Sequence, residues 1–130
     1  MAVSWEWEVA VKVVRMGELP EQPVNAPLFT GTVGRQVPLE AGESNNFNVG
    51  IVKFSAGSRN KFHKHTSDQI LVVTEGTGVV ATDDEEQTIS VGDMVLIPAG
   101  ENHWHGAPGE TAMAHISIQA KGSTTTQIEP

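Results

Sequence analysis

All five histidines of this 130-residue chain lie between His63 and His115. Histidine is the side chain best suited to metal ligation and to proton transfer near neutral pH, so chemistry concentrates in that stretch. His63 and His65 are two positions apart. On an extended strand such residues point to one face, and two imidazoles there can converge on one ion. Gln69 opens the next strand, and His103 lies far along the chain beyond Pro98-Ala99-Gly100. Two nitrogen donors from one hairpin and a third from a distant strand build a metal site inside a barrel.

A second group sits near the C-terminus. Met113, His115, Ser117 and Gln119 share one face of a strand, and Ala112, Ala114, Ile116 and Ile118 share the other. The apolar face must pack somewhere dry. The polar face lines a polar cavity or meets solvent on an edge strand. In the cavity reading His115 is a general acid or base, Gln119 orients substrate and Met113 joins the pocket wall. His105, two beyond His103, either touches substrate or backs a ligand. Along Phe47 to Phe54, Gly50 and Val52 are small enough to floor a pocket, although the opposite parity buries Phe47, Val49 and Ile51 equally well.

These side chains need short strands to position them. The 13 glycines and 7 prolines leave little room for long helices. Alternation predicts strands over Trp5 to Val13, Phe47 to Phe54, Gln69 to Thr74, Val79 to Thr82, Gln87 to Ser90, Met94 to Ile97 and Thr111 to Gln119. Gly76-Thr77-Gly78 is read as a turn, Met16 to Glu43 as loops with short edge strands, and the tail GSTTTQIEP as frayed. The pattern is that of an all-β sandwich or barrel. The expected organisation is an N-terminal strand and linker over 1–24, a barrel over 25–120 and a polar tail over 121–130.

Composition removes whole classes of function. With 16 acidic and 8 basic residues the formal charge is −8, which repels phosphate backbones and anionic lipid. The absence of cysteine excludes disulfides, thiolate metal sites and cysteine nucleophiles. The runs Ile70 to Val73 and Met94 to Ile97 fall far short of the roughly 20 residues of a membrane helix. Glu6 and Glu8 interrupt the apolar N-terminus, so no signal peptide is read there and a cytoplasmic location is expected.

Two spaced motifs carry a resemblance. Gly57, five residues, His63-Lys64-His65, three residues, Gln69, six residues, Gly76 resembles the first motif of the cupin superfamily. Gly92, five residues, Pro98-Ala99-Gly100, two residues, His103 resembles the second, and the 15 residues between match the short spacer of small single-domain cupins. The resemblance implies a jelly-roll β-barrel with a metal inside. More narrowly, HKHTSDQILVVTEGTG, GENHWHGAPGETAMAHISIQ and the short FTGTV look like the small bacterial cupins that include manganese-dependent hydroxynitrile lyases. That likeness implies His63, His65, Gln69 and His103 as ligands and His115 with Gln119 as catalytic residues. It implies one divalent ion, Mn(II) foremost, with Fe(II), Zn(II) or Ni(II) as substitutes.

Two positions depart from the wider family. Gln69 stands where the first motif usually has Glu, and Ala107 where the second often has Asn. An amide oxygen cancels none of the ion's charge, so a ligating Gln69 leaves a stronger Lewis acid. In the other reading Gln69 only hydrogen-bonds nearby and three histidines hold the metal. The implied activity is a lyase acting on a small organic substrate, cyanohydrin cleavage being its most specific form. A dioxygenase of the quercetinase type and a non-catalytic small-molecule or metal-binding cupin stay open. Arg59, Lys61 and Lys64 either steer an anionic substrate or form a solvated face. Trp5 and Trp7 are assigned to a homodimer contact, with packing on the chain's own barrel as the alternative.

Overall fold

The structure, a computed structural model, describes residues 10–130. Trp5 and Trp7 lie outside the described residues. Within them, Ala10 to Val13 is not a strand, and Val11 is 93% exposed. The alternation there has no partner strand among the described residues, and a strand without a ladder leaves its backbone groups to water.

Twelve strands follow a short 3-10 turn at Met16–Glu18. They are β1 (Gln22–Pro23), β2 (Phe29–Thr30), β3 (Val33–Gln36), β4 (Phe47–Phe54), β5 (Ser58–Asn60) and β6 (His63–His65). Then come β7 (Gln69–Thr82), β8 (Glu86–Ser90), β9 (Met94–Ile97), β10 (His103–Ala107), β11 (Met113–Ala120) and β12 (Thr125–Gln127). Neighbouring strands run β1-β3-β4-β11-β7-β10-β5-β2, all antiparallel, and the sheet curls into a jelly roll. Among the described residues no helix is long and apolar enough to cross a membrane, which says nothing of strands.

The 14-residue β7 organises the barrel. Its first half lies between β9 and β11, and its second half between β8 and β10. Gly76-Thr77-Gly78 is therefore not a turn that ends the strand. Gly76 adopts φ +69° and lets the strand bend from one side of the roll to the other. Beside the bend, Ala114 of β11 faces Glu75 but His115 faces Val73, so the extra residue of the bulge is Thr74 of β7. β11 itself runs unbroken against β4, and plain alternation turns Met113 and His115 inward, His115 being completely buried.

The interior has two unlike ends. Val33, Phe54, Val73, Ile89, Ala107 and Met113 pack one end as an apolar plug. The other end holds polar side chains from β6, β7, β10 and β11. The C-terminal tail is not frayed. Thr125, Thr126 and Gln127 pair with His65, Lys64 and His63, so the tail completes the edge of the strand that carries two histidines.

Candidate metal centre

His63 and His65 lie on the inward face of β6, as i and i+2 must, while Lys64 between them is exposed. His103 opens β10 directly across from His63. The His63 ring centroid is 4.2 Å from that of His103 and 4.8 Å from that of His65. Gln69 opens β7, and its Oε1 lies 3.1 Å from His103 Nε2. The structure thus brings His63, His65, Gln69 and His103 together, all four buried.

The partners of the Nδ1 atoms decide what these rings offer. His63 Nδ1–H donates to the Lys61 carbonyl at 2.6 Å, and His103 Nδ1–H to the Glu101 carbonyl at 2.9 Å. A carbonyl only accepts, so the proton of each neutral ring sits on Nδ1 and Nε2 keeps its lone pair. His65 Nδ1 is 2.8 Å from Thr125 Oγ1, and its Nε2 is buried with no hydrogen-bond partner among the described residues. Gln69 Nε2 donates to Ser117 Oγ at 2.9 Å, which turns the amide oxygen toward His103. There an acceptor faces an acceptor. Two lone pairs at that distance repel unless a cation is shared between them, or the amide flips.

Electrostatics agree with neutral donors. Burial pushes His63 down to about 3, and the nearby His103 pushes further. Burial and then His103 bring His65 to about 4, and burial lowers His103. Three neutral imidazoles and one amide oxygen fit a divalent ion of borderline character. The residues present therefore fit the group that the family implies.

His105 and His115 form a different pair. The nitrogens of His63, His103 and His105 also lie within 4.8 Å of one another, but both nitrogens of His105 are taken. Asn60 Oδ1 accepts the His105 backbone N–H at 2.8 Å, which fixes Asn60 Nδ2 as the donor facing the ring, 3.2 Å from Nε2. The His105 proton then lies on Nδ1 and is donated to His115 Nε2 at 2.9 Å. His115 keeps its own proton on Nδ1, which is buried and unpartnered among the described residues. Burial holds His115 down to about 4 and His105 well below its ordinary value, so both are neutral near pH 7.

A cavity of about 580 Å³ opens beside this centre, its walls including Gly50, Val52, Ser117, Gln119, Phe29 and Arg35. Ser117 joins cavity to centre through its bond from Gln69. Val49 and Ile51 reach the lining too, so both parities of β4 contribute to its rim. Met113 does not line this cavity: it lies opposite Phe54 of β4 and is held in the apolar plug. A second cavity of about 160 Å³ reaches His103 from the side of Val80, Thr82, Val95 and Ile97. Arg59 is occupied by Glu129 at 2.8 Å and lies 4.6 Å from the Trp104 ring, so its role is in packing rather than steering.

Sequence reasoning passed over three residues. Asn60 sets the tautomers of the buried pair, Ser117 orients the Gln69 amide, and Thr125 faces His65. Only Ser117 left a signal, since it shares a strand face with His115 and Gln119.

The comparisons agree with this architecture. A cupin domain model matches residues 50–119. An (R)-mandelonitrile lyase of Granulicella tundricola is 34% identical over 112 residues, covering 85% of this chain and 86% of that protein. A cupin-like protein from Thermotoga maritima superposes with a TM-score of 0.75 at 29% identity, over 82% of this chain and 84% of its own. A polyketide cyclase from Streptomyces resistomycificus reaches 0.82 at 14% identity, over 93% and 87%, and shares the fold. With buried histidines on β6 and β10 inside a jelly roll and a family match over more than half its length, the chain belongs to the cupin family and resembles its hydroxynitrile lyase-like members.

Proposed function

We propose that the protein is a metal-dependent lyase that cleaves a cyanohydrin into a carbonyl compound and hydrogen cyanide. The observation that carries the reading is the set of four convergent, neutral, lone-pair-bearing donors at His63, His65, Gln69 and His103, beside a cavity of about 580 Å³. The similarity to a protein named (R)-mandelonitrile lyase supports the choice of reaction. These four residues would hold one divalent ion, Mn(II) foremost, and a bound ion supplies Lewis acidity toward a substrate oxygen. The amide in place of a carboxylate leaves that acidity undiminished.

The chain's own residues do the rest. Gly50 and Val52 leave room for the substrate body, and Gln119 offers an amide at the cavity wall. Cleavage moves the hydroxyl proton of the cyanohydrin to the departing cyanide. In this reading His115 gives its Nδ1–H to the departing cyanide and takes the hydroxyl proton on the same nitrogen, while the His105 N–H holds its Nε2. The reaction consumes no oxidant. Anaerobic incubation of Mn(II)-loaded protein with mandelonitrile should therefore release benzaldehyde at the aerobic rate. No release would contradict the lyase and favour a non-catalytic binding cupin, and release of other products only in air would favour a dioxygenase.

The assembly proposed is a homodimer. The outer face of the sheet is aliphatic across three strands, where Met94 and Leu96 of β9 meet Val72 and Ile70 of β7, and these meet Ile116 and Ile118 of β11. Met94 is 72% and Leu96 63% exposed. Val11 is exposed as well, and a second copy would cover it together with this apolar face. Light scattering should give twice the chain mass, and a monomer would remove the proposal.

A further inference from the structure

The C-terminal strand pairs with β6, the strand that carries His63 and His65, although nothing in its polar sequence suggests a part in the site. β6 has three residues, and β10 pairs with it only at His63. Its whole remaining ladder is supplied by β12. The tail is tied at several points. Thr66 N–H donates to the Thr124 carbonyl at 3.0 Å, and Ile128 N–H to the Phe62 carbonyl at 2.8 Å. The Glu129 carboxylate accepts the Phe62 N–H at 2.9 Å and the Arg59 guanidinium at 2.8 Å. Arg59 in turn lies over Trp104, the residue between His103 and His105.

Within this strap Thr125 occupies a special position. The Nδ1 atoms of His63 and His103 are each fixed by a carbonyl two residues upstream. His65 lacks that arrangement: its Nδ1 partner is the hydroxyl of Thr125, 60 residues away. A histidine whose outer nitrogen is held presents the other nitrogen in one orientation and as a better base.

We propose that β12 is a structural part of the metal centre and that Thr125 is a positioning residue for His65. Thr125 accepts the His65 Nδ1–H and leaves the Nε2 lone pair facing the ion, while Glu129 clamps the strap to Arg59. Metal affinity thus depends on a segment far from the ligand motifs. The inference rests on His65 being a ligand, and the test separates the two claims.

Mn(II) alone is titrated into the full-length protein, and the free ion is followed by its electron paramagnetic resonance signal. Thr125→Val keeps the shape and β-propensity but removes the acceptor, so affinity should fall about 10–100-fold. Thr125→Ser should restore it. Glu129→Gln should give a smaller loss in the same direction. Circular dichroism of each variant checks that the barrel is retained. Should Thr125→Val unfold the barrel, the Ser and Gln variants decide the matter: wild-type affinity for Ser with a loss for Gln supports the strap. Wild-type affinity in a folded Thr125→Val overturns the proposal while leaving the centre intact. Absence of Mn(II) binding in the wild-type protein overturns the centre and the strap together.

Discussion

Two sets of buried histidines lie side by side in one barrel and are prepared for opposite tasks. In His63, His65 and His103 the Nδ1 atom is tied to an oxygen of the surrounding strands or loops, and Nε2 is left with a lone pair. In His105 and His115 the rings are tied to each other, and the chain ends in a buried N–H. All five are buried and neutral, so burial does not distinguish them. The neighbour on the far nitrogen does. In the proposed function the three rings with oxygens behind them hold the cation, and the pair of bonded rings handles the proton.

The comparison can be broken by removing one member of the second set. His115→Ala should retain stoichiometric metal but lose about 10²–10⁴-fold in kcat, the span typical of a lost proton-transfer residue. Metal loss together with activity would merge the two sets into one. A smaller effect is expected from Asn60→Leu. It leaves the His105 backbone N–H buried without an acceptor, costing about 1–3 kcal/mol of stability in a denaturant melt. It also releases the tautomer of His105, so the ¹⁵N signals of both His115 nitrogens in zinc-loaded protein should shift toward a mixture. A His115 that stays entirely in the Nδ1–H form would show that Asn60 does not set it.

The gentlest probe is pH. The folded-state values of these histidines lie below the free value of 6.5, at about 3 for His63 and about 4 for His65 and His115. Between those limits the unfolded chain binds more protons than the folded one. Stability of the metal-free protein is therefore fully present above about pH 6.5 and is lost as pH falls toward 4. Melting temperatures that stay level across that window would contradict neutral, buried rings.

Much of this arrangement was legible in the residues. Alternation placed Phe47–Phe54 and Met94–Ile97 at the bounds the structure gives β4 and β9, because each runs between clear turn signals. The inward convergence of His63 and His65 followed from a spacing of two on a strand. Gly76-Thr77-Gly78 misled, because glycine marks a bend inside a long strand as readily as a turn that ends one. The tail misled for another reason. Its partner strand lies 60 residues earlier, and a polar composition carries no trace of a ladder formed at that distance. Asn60 and Thr125 were invisible on the same ground, since each acts through a ring that only folding brings near.

The most direct test of the account is the metal content of purified protein after dialysis against Mn(II) and removal of the unbound ion. One ion per chain in the wild-type protein, retained in His115→Ala and absent in His103→Ala, is the predicted result. No bound ion in the wild-type protein, or an unchanged ion in His103→Ala, would contradict it.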